Sequence, residues 1–144
     1  MTVLHVAFKV AGAEYVLPAS TVLHLESFEG ATRVPGTADA VAGLLHSRGQ
    51  LLPVVDLRVR FGLPAAPRSL DSRVIVVQVG ARTVGLLVDS AREVLEIEED
   101  AFHAPPELIN EQALGLIQAV AQTAERIVIL LNLPKLIGDK AHAK

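Results

Sequence analysis

The stretch LLHSRGQLLPVVDLRVRFGLP, residues 44–64, decides how this chain is read. Arg48 and Gly49 stand where a tight turn belongs, because glycine tolerates turn angles that other residues avoid. An apolar run around Pro53 follows, Asp56 closes it, and the basic segment RVRFGL comes next. An aspartate ending an apolar strand suits either phosphate or magnesium chemistry or a side chain that caps a turn. The neighbouring sequence has to decide between them.

The same grammar returns further along. GQLLPVVDLRVRFG at 49–62 is echoed by ERIVILLNLPKLIG at 125–138, TVLHLE at 21–26 by EVLEIE at 93–98, and FKVAGAEYVL at 8–17 by VQVGARTVGL at 77–86. Three segments recur in one order, at offsets of 76, 72 and 69 residues. Solenoid repeats run about 20 to 50 residues, so this spacing points to a duplicated small β unit. Chance likeness between Val- and Leu-rich strands is the competing explanation. PAAPRSLDS, residues 64–72, is the expected joint between the halves.

Periodicity supports a mainly β chain. VLHVAFKV puts Leu4, Val6, Phe8 and Val10 on one parity and His5, Ala7 and Lys9 on the other, the pattern of a half-buried strand. Gly12 then allows a turn into EYVLP, and RVIVVQVGARTVGLLV reads as a hairpin about Gly80. Helix is expected only in TADAVAGLL (37–45), with Thr37 as cap, and in the short segments RVRFGL and LPKLIG. EQALGLIQAVAQT (111–123) has helical propensity. The duplication nevertheless sets LIQAVAQT beside AGLLHSRG, ahead of a strand, so most of it is expected to be strand.

Composition narrows the function. With 144 residues, 51% hydrophobic and 20% charged, the chain can fold as one ordinary domain or two small ones sharing a core. It has no apolar run of the roughly 18 residues that span a membrane and no signal-peptide start, so a cytoplasmic location is expected. The absence of cysteine removes disulfides, thiolate metal sites and cysteine nucleophiles. A net charge of -3 argues against nucleic acid as a partner. Charge is uneven: Arg48, Arg58, Arg60, Arg68 and Arg73 face only Asp56 and Asp71 within 48–73, whereas EVLEIEED has five acids and no base.

Catalytic patterns are missing. A receiver-type phosphoacceptor belongs to an alternating βα chain, and G-x-x-x-x-G-K-[ST] occurs nowhere. Asp56 and Asp89 are therefore expected to accept hydrogen bonds from turn N–H groups. His5, His24, His46, His103 and His142 lack zinc-ligand spacing, a long-range pair of His24 with His46 being left open. No serine lies in G-x-S-x-G. Neither a metal nor a cofactor is expected, and no enzymatic activity.

GLLHSRGQLLPVVDLRVRFGL resembles the signature of the CheW-like domain family, in which G-x-x-N-x-R-G-x-x-x-P-V-x-D-L-R-x-x-F-G is typical. EYVLPASTV, TRVPG, VGLLVDSAREVL, PPEL and RIVILLNLPKLI follow in the family's order. The resemblance implies two SH3-like five-stranded β-barrel subdomains with a few short helices. Residues 1–138 would be a single domain, with the first barrel over 10–65, the second over 73–138, the N-terminal strand open to sharing, and 139–144 a polar tail.

It also implies a function: a non-catalytic adaptor joining chemoreceptors to a CheA-type histidine kinase. In the family the receptor's signalling tip packs between the subdomains, which carries a groove role onto Val22, Gly43, Arg48, Val74 and Val94. Val22 shares its face with His24 and Glu26, and Val94 with Arg92 and Glu96, opposite Leu23/Leu25 and Leu95/Ile97, which favours a paired contact surface. The kinase regulatory domain is expected at the first barrel, around His46, Arg48, Gly49 and Gln50 and near Phe61 and Gly62, Phe61 itself being expected in the core.

One departure stands out. Where the family reads N-L-R-G, this chain has His46, Ser47, Arg48 and Gly49. A titratable ring replaces an amide, and a hydroxyl replaces an apolar side chain. The alternative it raises is a regulatory module of a specialised pathway that binds only one of the usual partners.

Overall fold

The computed structural model describes residues 1–67, 69–123 and 126–138. Each half of the chain opens with a hairpin: β1 (Thr2–Val10) with β2 (Ala13–Pro18), and β6 (Arg73–Val79) with β7 (Arg82–Val88). A single edge strand follows, β3 (Val22–Ser27) in one half and β8 (Ser90–Glu98) in the other. Next comes a second hairpin, β4 (Val41–Ser47) with β5 (Gln50–Asp56), or β10 (Ile117–Thr123) with β11 (Arg126–Leu131). Each half then ends in a short helix, α1 (Leu57–Arg60) or α3 (Leu133–Ile137). The second half also carries β9 (Phe102–His103) and α2 (Glu107–Gln112). In the first half a single bridge, Thr32 to Leu44, occupies the place where His103 pairs with Val120.

The two sheets do not follow the two halves. One has the order β3-β6-β7-β5-β4, the other β8-β1-β2-β11-β10-β9. Each is therefore built from one half plus the opening hairpin of the other. Parallel pairing makes the splice: Val54 lies opposite Gly85, and Leu130 opposite Val16. These pairs correspond at the offsets of 76 and 69 read from the sequence. The duplication is thus a feature of the fold, but sheet membership crosses the expected division into barrels at 10–65 and 73–138. It is the whole opening hairpin, and not only the N-terminal strand, that lies with the other half. Residues 139–144, Arg68 and His142 fall outside the described residues.

The exchange explains where the core sits. Its largest part lies between the sheets, where Phe8, Leu17, Leu131 and Leu136 meet Val55, Leu57, Ile75, Val77 and Leu86. A smaller cluster inside each sheet completes it: Ala7, Val16, Ile97, Val128 and Leu130 in one, Leu52, Val54, Val74 and Val76 in the other. Each fully buried side chain of this size contributes roughly 1.5–3 kcal/mol of transfer free energy. β1 is consequently buried on both faces from His5 to Phe8; of the polar parity only Lys9 keeps the exposure that alternation suggested, and Leu4, on the apolar parity, is exposed against it.

Register corrects one reading of the sequence. Val6 pairs with Val94, and Ile75 pairs with Leu25. The outward counterpart of Val94 is therefore Leu25, at an offset of 69, and not Val22. The match of TVLHLE to EVLEIE is slipped by three positions, and an odd slip exchanges the two faces of a strand. Irregularities at Leu23 and Arg92 occupy equivalent places in the two copies.

The hairpin over 73–88 and the strand over 117–123 form as expected, the latter against its helical propensity because pairing with β11 outweighs it. TADAVAGLL is not a helix. From Val41 it is β4, and the Thr37 hydroxyl donates to the Val34 carbonyl within a turn instead of capping. Gly43 accounts for the outcome. It is buried at a break in the β4–β5 register with φ +145°, and an added Cβ would lie 2.3 Å from the Thr32 carbonyl oxygen. Gly43→Ala is expected to destabilise the chain by about 2 kcal/mol or more. Urea unfolding measures this directly, and a variant as stable as the parent would contradict the close approach.

Candidate interaction surfaces

Ser47 and Gln50 close a two-residue turn in which Arg48 has φ +51° and Gly49 φ +77°. Positive φ at both central residues is the type I′ geometry that matches strand twist, so the turn is a stiff one. Arg48 and its neighbours His46 and Gln50 are exposed. Among the described residues the Arg48 side chain is part of no ion pair. The same sheet carries exposed apolar side chains, Leu23 and Leu25 on β3, Leu44 on β4 and, opposite His46 beside the turn, Leu51 on β5, which is 65% exposed.

The expected groove residues separate by depth. Val94 is 61% exposed on the edge strand β8. Val22 is half-buried against the shared core, and Gly43 is buried. Val74 has no exposure at all and packs with Leu52, Val54 and Val76. It cannot touch a partner, because it fills the interior of its own sheet. On β3 the faces are the reverse of the reading: His24 and Glu26 turn inward beside Val22, and Leu23 and Leu25 face outward. Sequence alignment by similarity missed Leu25, which only the pairing register reveals.

The expected kinase residues form two groups. His46 to Gln50 lie at one end of β5, and Phe61 and Gly62 lie beyond the other. Six steps of about 3.4 Å separate the ends by about 20 Å. The Phe61 ring lies 5.1 Å from that of Tyr15, half-buried against the shared core. With Gly62, Leu116 and Leu131 these rings line a cavity of about 450 Å³.

Most of the arginine-rich segment is engaged internally. Arg58 grips Asp89 with two bonds, Nε to Oδ1 at 2.9 Å and a terminal nitrogen to Oδ2 at 2.7 Å. Asp89 also accepts from the Ala11 N–H, and Asp56 accepts from the Arg58 N–H as the cap of α1. Both strand-end aspartates thus bind turn N–H groups, as expected. Arg60 donates to the Leu136 and Lys135 carbonyls, and Arg82 to that of Gly138, tying the end of α3 to the other sheet. Arg73 donates to the Leu70 and Ser72 carbonyls. In the six-stranded sheet Arg126 bridges Glu14 and Glu93.

The histidines lie apart. The His5 ring is buried near Phe102, His24 is covered beside Glu26 and Ser47, and His46 faces solvent. Among the described residues no three His, Cys, Asp or Glu side chains gather in a group able to hold a metal ion.

Comparison with known proteins adds a family. The model described as CheW-like domain matches residues 5–141. The chemotaxis protein CheW of Klebsiella aerogenes is 28% identical over 136 residues, covering 94% of this chain and 82% of that protein. That of Bacillus subtilis is 28% identical over 127 residues, covering 88% and 81%. The crystal structure of the scaffolding protein TtCheW from Thermoanaerobacter tengcongensis superposes with a TM-score of 0.88 at 29% identity, over 97% of this chain and 95% of that one.

The Arg58 guanidinium, helped by the Ala11 N–H, holds the Asp89 carboxyl below its usual range. A depressed folded pKa gives stability that is complete above the unfolded value, about 3.9, and is lost as pH falls through the folded value. Asp89→Asn is expected to cost about 1 kcal/mol at neutral pH and to flatten the loss of stability below about pH 4. Urea midpoints across that range measure the effect. An unchanged acid limb would remove Asp89 from the account.

Proposed function

The chain belongs to the CheW-like domain family, and we infer that it couples chemoreceptors to a CheA-type histidine kinase. It is a chemotaxis adaptor without a catalytic step of its own. An adaptor's product is geometry, and a stiff pair of sheets around a common core suits that task. The observation that carries the reading is the Arg48–Gly49 turn, an exposed guanidinium on a fixed backbone, with the exposed Leu51 next to it on β5. Relatives that match 88% or more of the chain include chemotaxis CheW proteins, and the one-partner alternative is not favoured.

The kinase's regulatory domain is the partner assigned to the turn. A planar guanidinium can form a two-pronged bond to a carboxylate, and the exposed Leu44 and Leu51 of the same hairpin supply apolar area for that contact. His46, Gly49 and Gln50 belong to the same contact. Phe61 and Gly62 lie beyond the far end of β5, away from that contact, where Phe61 packs against the core and Gly62 is exposed. The receptor's signalling tip is assigned to the edge strands β3 and β8, through Leu25 and Val94, with Arg48 at the margin. Val22, Gly43 and Val74 support that surface from within. Binding to receptors would bring the chain to their arrays. No helix among the described residues is long and apolar enough to cross a membrane.

Two outcomes follow, both read by calorimetric titration of the purified kinase domain and receptor tip in separate experiments. Arg48→Ala should leave stability within about 0.5 kcal/mol of the parent and weaken binding at least about tenfold. Arg48→Lys should recover only part, because a point charge cannot reproduce the fork. Unaltered affinity for both partners excludes Arg48 from the site. Leu25→Ala and Val94→Ala should each weaken receptor binding about fivefold, as truncation at a contact does, whereas Val22→Ala should act on stability first. A reversed order would restore Val22 to the groove.

A further inference from the structure

Ser47 stands directly before the Arg48–Gly49 turn and is 5% exposed. Its hydroxyl donates to Glu26 Oε2. The same carboxylate oxygen lies 2.6 Å from His24 Nε2, which is 3.3 Å from the Ser47 Oγ. A histidine nitrogen this close to a carboxylate carries the proton and donates it. Glu26 is thus the common acceptor, and the Ser47 hydroxyl, then His24, and the nearby Arg48 charge hold its carboxyl below the ordinary range.

β3 and β4 are the two edges of the five-stranded sheet, and no backbone ladder joins them. The three side chains bridge that gap at the foot of the turn. The fold does not require such a bridge. In the other sheet the position of Glu26 is held by Leu95, which packs against the small core. The hydroxyl at 47 is also where this chain departs from the apolar residue of the family signature.

We propose that His24, Glu26 and Ser47 form a side-chain clasp that shuts the five-stranded sheet beneath the Arg48–Gly49 turn and sets the direction in which Arg48 meets its partner. The three are positioning residues, and the proposal rests on the reading of Arg48 as a partner contact.

The test uses the full chain, titrated against the kinase regulatory domain and the receptor tip, together with the amide NMR signals of Arg48 and Gly49. Ser47→Ala should weaken the partner that Arg48→Ala weakens by at least about fivefold and move both amide signals. Ser47→Thr should return affinity to within about twofold, since it keeps the hydroxyl. Combined with Arg48→Ala, Ser47→Ala should add less than about twofold, as expected of residues acting along one path. Glu26→Gln, which keeps the shape and removes the charge, makes the same test if Ser47→Ala does not fold. The clasp is overturned if Arg48→Ala weakens binding while Ser47→Ala and Glu26→Gln leave affinity and amide signals unchanged, or if the two losses multiply. If Arg48→Ala itself changes neither affinity, the Arg48 reading falls and the clasp with it.

Discussion

Val16 lies beside Leu130, and Gly85 beside Val54, in parallel register. These two contacts splice the opening hairpin of each half into the sheet of the other, and the rest of the molecule is arranged around that splice. Parallel strands need a crossover connection, which a chain made of two consecutive small sheets would have no reason to build. Because the hairpins are exchanged, the faces of β1, β2, β6 and β7 that would otherwise meet water close over one common core. The arginines Arg58, Arg60 and Arg82 then reinforce the same joint from outside.

The two copies are alike in topology and unlike in filling. Gly85 stands where Val16 stands, and a Cβ there would come within 2.7 Å of the Val74 side chain and 3.2 Å of that of Leu52. Inside the five-stranded sheet, β7 therefore packs directly against Val74 and Leu52 at this point, while the rim carries polar links. The six-stranded sheet is filled by Ile97, Val128 and Leu130. Its outer link is the ion pair network of Arg126 with Glu14 and Glu93. One architecture thus presents two different surfaces.

Strand identity was legible in the sequence, because alternation and the turns at Gly12, Arg48–Gly49 and Gly80 are local signals. So was the duplication, whose offsets of 76 and 69 reappear as equivalent strand pairs. Pairing was not legible. Nothing in TVLHLE or EVLEIE says which residue lies opposite Val6 or Ile75, and similarity alone chose a slipped match that placed Val22 where Leu25 stands. TADAVAGLL misled for a related reason, since its helical spacing is local and the approach of Thr32 to Gly43 is not. The turn arginine could be found from Arg-Gly between apolar runs, whereas the inward aim of His24 and Glu26 depends on how the sheet curls.

The hairpin exchange also sets an order in time. Tyr15 must wait for Ile129, 129 − 15 = 114 residues later, before its strand has its parallel neighbour. During synthesis the five-stranded sheet has all its strands once β7 has emerged at Val88, but the six-stranded sheet lacks a strand until β11 ends at Leu131. The first hairpin made is thus among the last to be enclosed. Its apolar faces, Phe8 and Leu17 among them, stay open for most of translation, and contacts of such long sequence separation make for slow folding. A chain released before residue 131 would carry a finished sheet attached to an unprotected hairpin, a ready substrate for chaperones and for pairing with another copy of itself.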